Sequence, residues 1–223
     1  MDLLSGIVAV VAAYLIGSMS FAVIVSRVFG LADPRSYGSK NPGATNVLRS
    51  GHRGAALLTL AFDALKGYVP VLLALLYGPR FGVGDWAVAF VALAAFVGHL
   101  WPVFFRFQGG KGVATAAGVL MAFNPWLGLA TLLSWAIIAA FFRYSSLASM
   151  VAAAFAPFYQ LLIWGLDPSV LTMFAMSLLL VWRHEANIRR LIANIVSTLG
   201  SRPQINNWSN GAKAAATIDA SDE

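Results

Sequence analysis

Long apolar runs, separated by short polar breaks, are the feature that most constrains how this 223-residue chain can fold. The first run, from Leu3 to Val25, is long enough to cross a hydrocarbon core about 30 Å thick as a helix. It does not resemble a cleavable signal peptide, because it lacks a positively charged start and a small-residue cleavage site. Only 11% of the residues are charged, against about 25% in soluble domains, so an ordinary soluble domain is excluded.

The sequence predicts seven transmembrane helices, one for each apolar segment. Their predicted bounds are residues 3–25, 55–77, 86–105, 113–123, 126–142, 147–165 and 169–182. The fourth segment is short and lies close to the fifth, so an alternative with six spans joins residues 112–142 into one bent helix. We therefore predict an all-α integral membrane protein in which residues 1–199 form the transmembrane domain. Residues 200–223 have too little apolar surface to fold and are predicted to be a disordered cytoplasmic tail.

The distribution of positive charge predicts the orientation in the membrane. With seven spans, every Lys and Arg except Lys66 and Arg80 falls on one face, which the positive-inside rule assigns to the cytoplasm. The N-terminus is then periplasmic and the C-terminus cytoplasmic, whereas six spans would place Arg143 on the wrong side. Lys66 lies inside the second span, three residues after Asp63. A buried ion pair is the default interpretation of these two residues, and a proton or ion pathway is the alternative.

Composition also limits the chemistry. The net charge of +6 in so apolar a chain favours anionic lipid headgroups or small anions as partners, and not nucleic acid. The chain has no Cys, which excludes disulfides, thiolate metal sites and cysteine nucleophiles. Its three His do not cluster with carboxylates, so we predict no metal and no other cofactor. There is also no Gly-x-Ser-x-Gly elbow and no His-x4-Asp motif of the common glycerolipid acyltransferases.

A polar loop at residues 39–49, called here the first loop, is a candidate anion site. Its Gly, Pro, hydroxyl and amide residues build a tight loop with exposed N–H donors, and Lys40 and Arg49 add positive charge. An interhelical turn beside acidic lipid headgroups is the alternative, with about equal weight.

The segment Gly109-Gly110-Lys111-Gly112, called here the glycine loop, directly precedes an apolar helix. Unpaired N–H groups and the positive helix end would suit a phosphate there. This is not a Walker loop, because Phe105 and Gly112 occupy the positions that require Gly and Ser or Thr. A flexible hairpin is the alternative. Three glycines, however, increase the conformational entropy lost on folding, and a hairpin without a function has no need of them.

Two further polar segments, residues 143–146 and 183–191, are predicted on the same face of the membrane. His184, Asn187 and Arg190 recur every three residues and would share one helix face, where a His can donate or accept a proton. A basic amphipathic extension on anionic lipid is the alternative. Three function classes fit: an enzyme joining a phosphorylated molecule to a lipid, a transporter of organic phosphates or other small anions, and a membrane scaffold. Polar chemistry concentrated at one surface favours the enzyme.

Four motifs, in this order, resemble those of the bacterial acyl-phosphate:glycerol-3-phosphate acyltransferases, the PlsY family. They are Ser-x-Asn-x-Gly-Ala-Thr-Asn-x-x-Arg (39–49), Gly-His-x-x-Pro (98–102), Gly-Gly-Lys-Gly-x-Ala-Thr (109–115) and Arg-His-x-x-Asn-Ile-x-Arg-Leu (183–191). The resemblance spans about residues 17–191 and excludes the tail.

The resemblance implies a seven-helix enzyme of the bacterial inner membrane whose active site faces the cytoplasm. It would transfer a fatty acyl group from acyl phosphate to glycerol 3-phosphate, giving lysophosphatidic acid and phosphate, and work with a soluble phosphate acyltransferase that supplies acyl phosphate. The implied catalytic residues are Ser39, Arg49, Lys111, His184 and Asn187. The implied substrate- and phosphate-binding residues are Asn41, Gly43, Thr45, Asn46, His99, Gly109, Gly110, Gly112, Thr115, Arg143 and Ser145. Whether His184 or the acyl phosphate itself takes the hydroxyl proton stays open here.

Overall fold

Helices joined by loops and turns make up the described part of the chain. The computed structural model describes residues 3–200, with side chains for residues 3–195, and within that range there is no strand. Two compact units are present, Met1–His184 and Glu185–Glu223. Of the predicted disordered tail, residues 201–223 lie outside the described residues. The helices are α1 Leu3–Gly17, α2 Phe21–Val28, α3 Ala44–Leu48, α4 Arg53–Tyr77, α5 Asp85–Leu100, α6 Val113–Phe123, α7 Pro125–Phe142, α8 Ser145–Trp164, α9 Pro168–Arg183 and α10 Glu185–Gly200.

Within residues 3–200, four helical segments are long and apolar enough to cross a membrane, namely Arg53–Phe81, Asp85–Phe105, Pro125–Phe142 and Ser145–Trp164. The pair α1 and α2 is a fifth candidate, bent by 44° at residues 18–20. The single straight helix predicted over residues 3–25 is therefore two helices. α6 and α9 are apolar but have only 11 and 16 residues. The fold is that of a multi-pass membrane protein with four or five spans of full length, and the count of seven stays a prediction.

Residues 113–142 form two helices and not one bent helix. Asn124 ends α6 and caps α7, because its side-chain Oδ1 accepts hydrogen bonds from the N–H groups of Trp126 (2.8 Å) and Leu127 (3.4 Å). Pro125 occupies the first turn of α7, where its missing N–H costs nothing. Leu120 of α6 and Leu127 of α7 then pack in one apolar cluster.

Small residues let the helices of the first unit approach closely. A Cβ at Gly17 would collide with the carbonyl of Ala95, and a Cβ at Gly98 with the carbonyl of Tyr14, so α1 and α5 touch backbone to backbone. A Cβ at Gly6 would lie 3.6 Å from the Ala87 Cβ. Gly6 therefore lies beside Ala87 and Gly17 beside Ala95, and this order makes α1 and α5 parallel. α8 and α9 are antiparallel neighbours, and the Ser177 hydroxyl donates to the Ala153 carbonyl (2.5 Å).

These packing directions gather the polar segments at one end of the first unit. α5 ends there and leads into the glycine loop, and α9 runs beside α5, with Thr172 donating to the Ala89 carbonyl (3.1 Å). The α7–α8 turn lies at the same end because α8 is antiparallel to α9. Among the described residues, the connections at the opposite end are short: residues 78–84, which include one turn of 3-10 helix, residue 124 and residues 165–167. The polar chemistry is thus concentrated at one surface, as the sequence predicts.

The second unit contains the amphipathic helix α10. Its first turn holds an ion pair in which Arg189 contacts Glu185 (2.7 Å), and Arg190 donates to the Ala186 carbonyl (3.1 Å). The predicted helix face shared by His184, Asn187 and Arg190 is interrupted, because His184 lies in the turn before α10. The reason is local: the His184 backbone N–H bonds to the Val181 carbonyl (2.9 Å) instead of continuing the helical pattern.

Candidate active site

Asn46 organises the first loop from inside it. Its side-chain Nδ2 donates to the carbonyls of Pro34 (2.6 Å) and Tyr37 (3.2 Å), and its Oδ1 accepts from the N–H of Ser39 (3.0 Å). Asn46 is almost fully buried. The resemblance implies that Asn46 binds substrate, but in this structure its amide holds the loop that presents Ser39.

The remaining predicted site residues of the first loop lie within α3 or close to its ends. Ser39, Thr45 and Arg49 are exposed, and Asn41 and Gly43 are half-buried. Gly43 begins α3 and Arg49 ends it. The Arg49 Cδ lies 3.3 Å from where a Cβ on Gly38 would sit, so α3 folds the arginine back over the start of the loop.

The glycine loop contains glycine because its backbone lies against neighbouring atoms. A Cβ at Gly109 would collide with the carbonyl oxygens of His99 and Leu100, and Gly112 has φ +83°, which favours glycine. A Cβ at Gly110 would collide with Nε2 of His99 and would lie 3.0 Å from the carbonyl oxygen of Pro42. Gly110 therefore brings the two candidate anion loops together, at Pro42 of the first loop.

Arg183 holds the glycine loop from the other side. Its Nε donates to the Gly110 carbonyl (3.1 Å) and its Nη2 to the Gly109 carbonyl (2.8 Å). Arg183 belongs to the last of the four motifs but has no predicted role, and its position next to His184 at the end of an apolar span is the sequence signal that could have indicated this contact. These bonds tie the glycine loop to the end of α9. α6 begins at this loop with no capping side chain, and the first N–H groups of a helix have no partner within the helix itself.

His184 is buried at the end of α9 with its protonation state determined by one contact. Its Nδ1 lies 2.8 Å from the Leu180 carbonyl, which can only accept, so Nδ1 carries the proton and Nε2 is an acceptor. The pKa of His184 is lowered to about 4, chiefly by burial and also by the charges of Lys111 and Arg183, while the bond to the Leu180 carbonyl opposes the shift. His184 is therefore neutral at pH 7.

A buried polar cluster lies beneath the glycine loop. The Lys66 Nζ is 2.8 Å from Asp63 Oδ1, which is the ion pair that the sequence predicts. The Thr115 hydroxyl donates to the backbone carbonyl of Asp63 (2.9 Å) and lies 3.1 Å from His99 Nδ1. His99 and Thr115 are both buried, so the polar groups implied to bind phosphate are directed into this cluster.

The last implied site residues lie apart from the two loops in the sequence. Arg143 ends α7 with φ +60° and is exposed, and Ser145 begins α8 and is also exposed. Both belong to the polar end of the first unit. Asn187 is half-buried on α10 in the second unit.

Comparison with known proteins identifies the family of this chain. Residues 7–194 match the family model described as glycerol-3-phosphate acyltransferase. A glycerol-3-phosphate acyltransferase from Ralstonia nicotianae is 62% identical over 196 residues, which cover 88% of this chain and 95% of the relative.

Two crystal structures of PlsY (YgiH), described as an integral membrane glycerol 3-phosphate acyltransferase, have the same fold. The glycerol 3-phosphate form is 38% identical with a TM-score of 0.80, and the lysophosphatidic acid form is 37% identical with a TM-score of 0.78. Each covers 85% of this chain and 93% of its own. The protein is an acyltransferase enzyme, which decides against the transporter and the scaffold. The family model, the relative from Ralstonia nicotianae and the shared fold show that this chain belongs to the glycerol-3-phosphate acyltransferase family.

Proposed function

We propose that this enzyme transfers a fatty acyl group from acyl phosphate to glycerol 3-phosphate, giving lysophosphatidic acid (1-acylglycerol 3-phosphate) and phosphate, the first step of phospholipid biosynthesis. The observation that carries the proposal is the contact between the first loop and the glycine loop at Pro42 and Gly110. Two loops suited to anions lie side by side, and both proposed substrates carry phosphate. The PlsY relatives add support, because their structures are described as glycerol 3-phosphate and lysophosphatidic acid forms.

The proposed reaction needs positioning more than activation. The glycerol hydroxyl oxygen forms a bond to the acyl carbonyl carbon, and the bond from that carbon to the phosphate oxygen breaks. Acyl phosphate is a mixed anhydride with a good leaving group, so holding the two substrates in contact supplies much of the catalysis. Lys111, Arg49 and the N–H groups at the start of α6 would bind the phosphates and stabilise developing negative charge, with Ser39 as a further donor.

His184 would orient the attacking hydroxyl. Its Nε2 carries a lone pair because Nδ1 donates to Leu180, so Nε2 accepts the hydrogen bond of the hydroxyl. A pKa of about 4 makes the free imidazole a weak base. We therefore assign the final position of the proton to the departing phosphate, which is the stronger base of the two.

We also propose the membrane arrangement in which this reaction takes place. All seven apolar segments would be embedded in the bacterial inner membrane, with the N-terminus periplasmic and the polar end of the first unit facing the cytoplasm. The excess of Lys and Arg at that end supports this orientation. Acyl phosphate would then be delivered from the cytoplasm by the soluble phosphate acyltransferase that forms it.

A donor comparison with purified protein tests the proposed reaction. Glycerol 3-phosphate is incubated with acyl phosphate, acyl-CoA or acyl carrier protein carrying the same acyl chain, and lysophosphatidic acid is measured. We expect product only with acyl phosphate, and the variant Lys111→Met serves as the control for non-enzymatic transfer. Product from acyl-CoA or acyl carrier protein at a comparable rate would contradict the proposed donor.

A further inference from the structure

The buried cluster beneath the glycine loop connects a break in one helix to the candidate site. The Lys66 Nζ donates to the Met19 carbonyl (2.7 Å), which lies in the break between α1 and α2. Lys66 is in turn paired with Asp63, and Asp63 Oδ1 is 3.6 Å from His99 Nδ1. Each of these three charged or polar side chains is at most 6% exposed. The cluster therefore has little freedom to rearrange.

Hydrogen-bond accounting determines which ring nitrogen of His99 carries its proton. The Thr115 hydroxyl has one proton, and it is donated to the Asp63 backbone carbonyl, which can only accept. Toward His99 Nδ1 the hydroxyl oxygen must therefore accept, so Nδ1 is protonated. The Asp63 carboxylate faces the same Nδ1.

His99 and Gly110 meet through both the ring and the backbone. A Cβ at Gly110 would collide with the Nε2 edge of the ring, and the His99 carbonyl accepts the Gly110 N–H (3.1 Å).

We propose that His99 is a positioning residue: Thr115 and Asp63 hold its ring through Nδ1, and its Nε2 edge sets the position of Gly110 against Pro42. This inference rests on the proposed function, in which the glycine loop binds a phosphate group of a substrate. It replaces phosphate binding as the role of His99, because the Nδ1 edge of the ring faces Thr115 and Asp63 and the Nε2 edge faces Gly110. His99 acts on the substrates only through the loop.

A double-mutant cycle between positions 99 and 110 tests this contact. Gly110→Ala places a methyl against Nε2, whereas His99→Asn keeps an N–H near the Nδ1 position and lacks the ring edge that the methyl meets. We expect Gly110→Ala to reduce kcat/KM by about 30-fold or more, chiefly by raising the KM of a phosphate substrate, with kcat changed less than about threefold. The double variant should recover at least about fivefold relative to Gly110→Ala.

Binding of inorganic phosphate provides a measurement that does not depend on how fast each variant transfers the acyl group. The inhibition constant of phosphate, or its binding measured by calorimetry, should weaken in Gly110→Ala and recover in the double variant. The matched control is Gly128→Ala on α7, where the new methyl meets the Met121 side chain, far along the chain from His99. His99→Asn should not rescue this variant. Melting temperatures establish that each variant is folded.

Thr115 provides a second arm in case Gly110→Ala does not fold. Thr115→Ser keeps the hydroxyl that accepts from Nδ1 and should retain a near wild-type KM, whereas Thr115→Val should raise the KM while keeping most of kcat. Equal KM values for these two variants, or a double variant no better than Gly110→Ala, would overturn the proposal. If the wild-type protein binds phosphate but transfers no acyl group, the proposed function is refuted instead. The double-mutant cycle measured by phosphate binding would still decide the role of His99.

Discussion

His184 illustrates how burial determines the chemistry of one side chain. A histidine at the end of an exposed helix would change charge near pH 6.5. Here the ring is buried, its Nδ1 proton is held by the Leu180 carbonyl, and the pKa falls to about 4. The imidazole is therefore a neutral acceptor throughout the physiological pH range, which suits hydrogen bonding to a hydroxyl and does not suit a positively charged phosphate clamp. In the proposed mechanism, Lys111 and Arg49 take that role.

The lowered pKa of His184 predicts a pH dependence of stability. The folded pKa of about 4 lies below the unfolded value of 6.5, so the unfolded chain binds more protons between these values. We expect the contribution of His184 to stability to be complete above pH 6.5 and to be lost as pH falls toward 4. Melting temperatures in detergent should fall less steeply from pH 6.5 to 5 in His184→Gln than in wild type. Identical slopes would contradict the prediction.

Lys111 is predicted to supply charge to a phosphate. Lys111→Met should lower kcat/KM by roughly 30- to 5000-fold, because truncating a desolvated charged contact costs about 2–5 kcal/mol. Lys111→Arg should recover only part of the loss, since its planar fork needs a different geometry. The control Arg80→Met, at the opposite end of the unit, should leave kcat/KM unchanged. If Lys111→Met keeps more than about a third of wild-type kcat/KM, the phosphate site lies elsewhere.

At the scale of helices, the candidate site lies where helices break or begin. The break between α1 and α2 exposes a backbone carbonyl that Lys66 of α4 satisfies, and the early end of α6 leaves a short helix whose start faces the glycine loop. Backbone groups inside a membrane must find partners within the protein, so a break of this kind needs a buried donor. The ion pair in α4 is therefore part of how α1 and α2 can bend.

The ion pair predicts a distinctive result for single and double variants. Asp63→Asn leaves Lys66 without its counter-charge, and Lys66→Met does the same to Asp63, so each single change should cost about 3–5 kcal/mol. The double variant should melt closer to wild type and retain more activity than either single variant. Melting temperature and acyl transfer are measured at equal protein levels. A double variant as inactive as each well-folded single variant would indicate a role in handling substrate.

At the scale of the molecule, helix direction collects the polar segments. Parallel packing of α1, α5 and α9, with α8 antiparallel to α9, places the first loop, the glycine loop and His184 at one end of the first unit. The other end is made of short turns. An enzyme that joins a soluble molecule to a lipid needs its polar site at one membrane surface, and this arrangement supplies it.

Cysteine labelling tests which side of the membrane that end faces. The chain has no Cys, so Thr45→Cys in the first loop and Arg80→Cys in the opposite turn can be labelled without background. In intact cells, we expect a reagent that cannot cross the inner membrane to label position 80 and not position 45. After permeabilisation both should react. Labelling of position 45 from the periplasm would reverse the proposed orientation.

The sequence by itself determined the class of protein, the apolar segments and the motifs. The length of a hydrophobic run and the distribution of charge are properties of the local sequence, so they can be identified without knowing how the helices pack. The buried pairing of Asp63 with Lys66 also followed, because an isolated charge in a membrane is too costly. The tertiary structure decided where each side chain points. Asn46 holds its own loop, His99 and Thr115 face the buried cluster, and Arg183 binds the glycine loop. These contacts join residues far apart in the chain, and hydrogen-bond direction depends on atoms that only folding brings within reach.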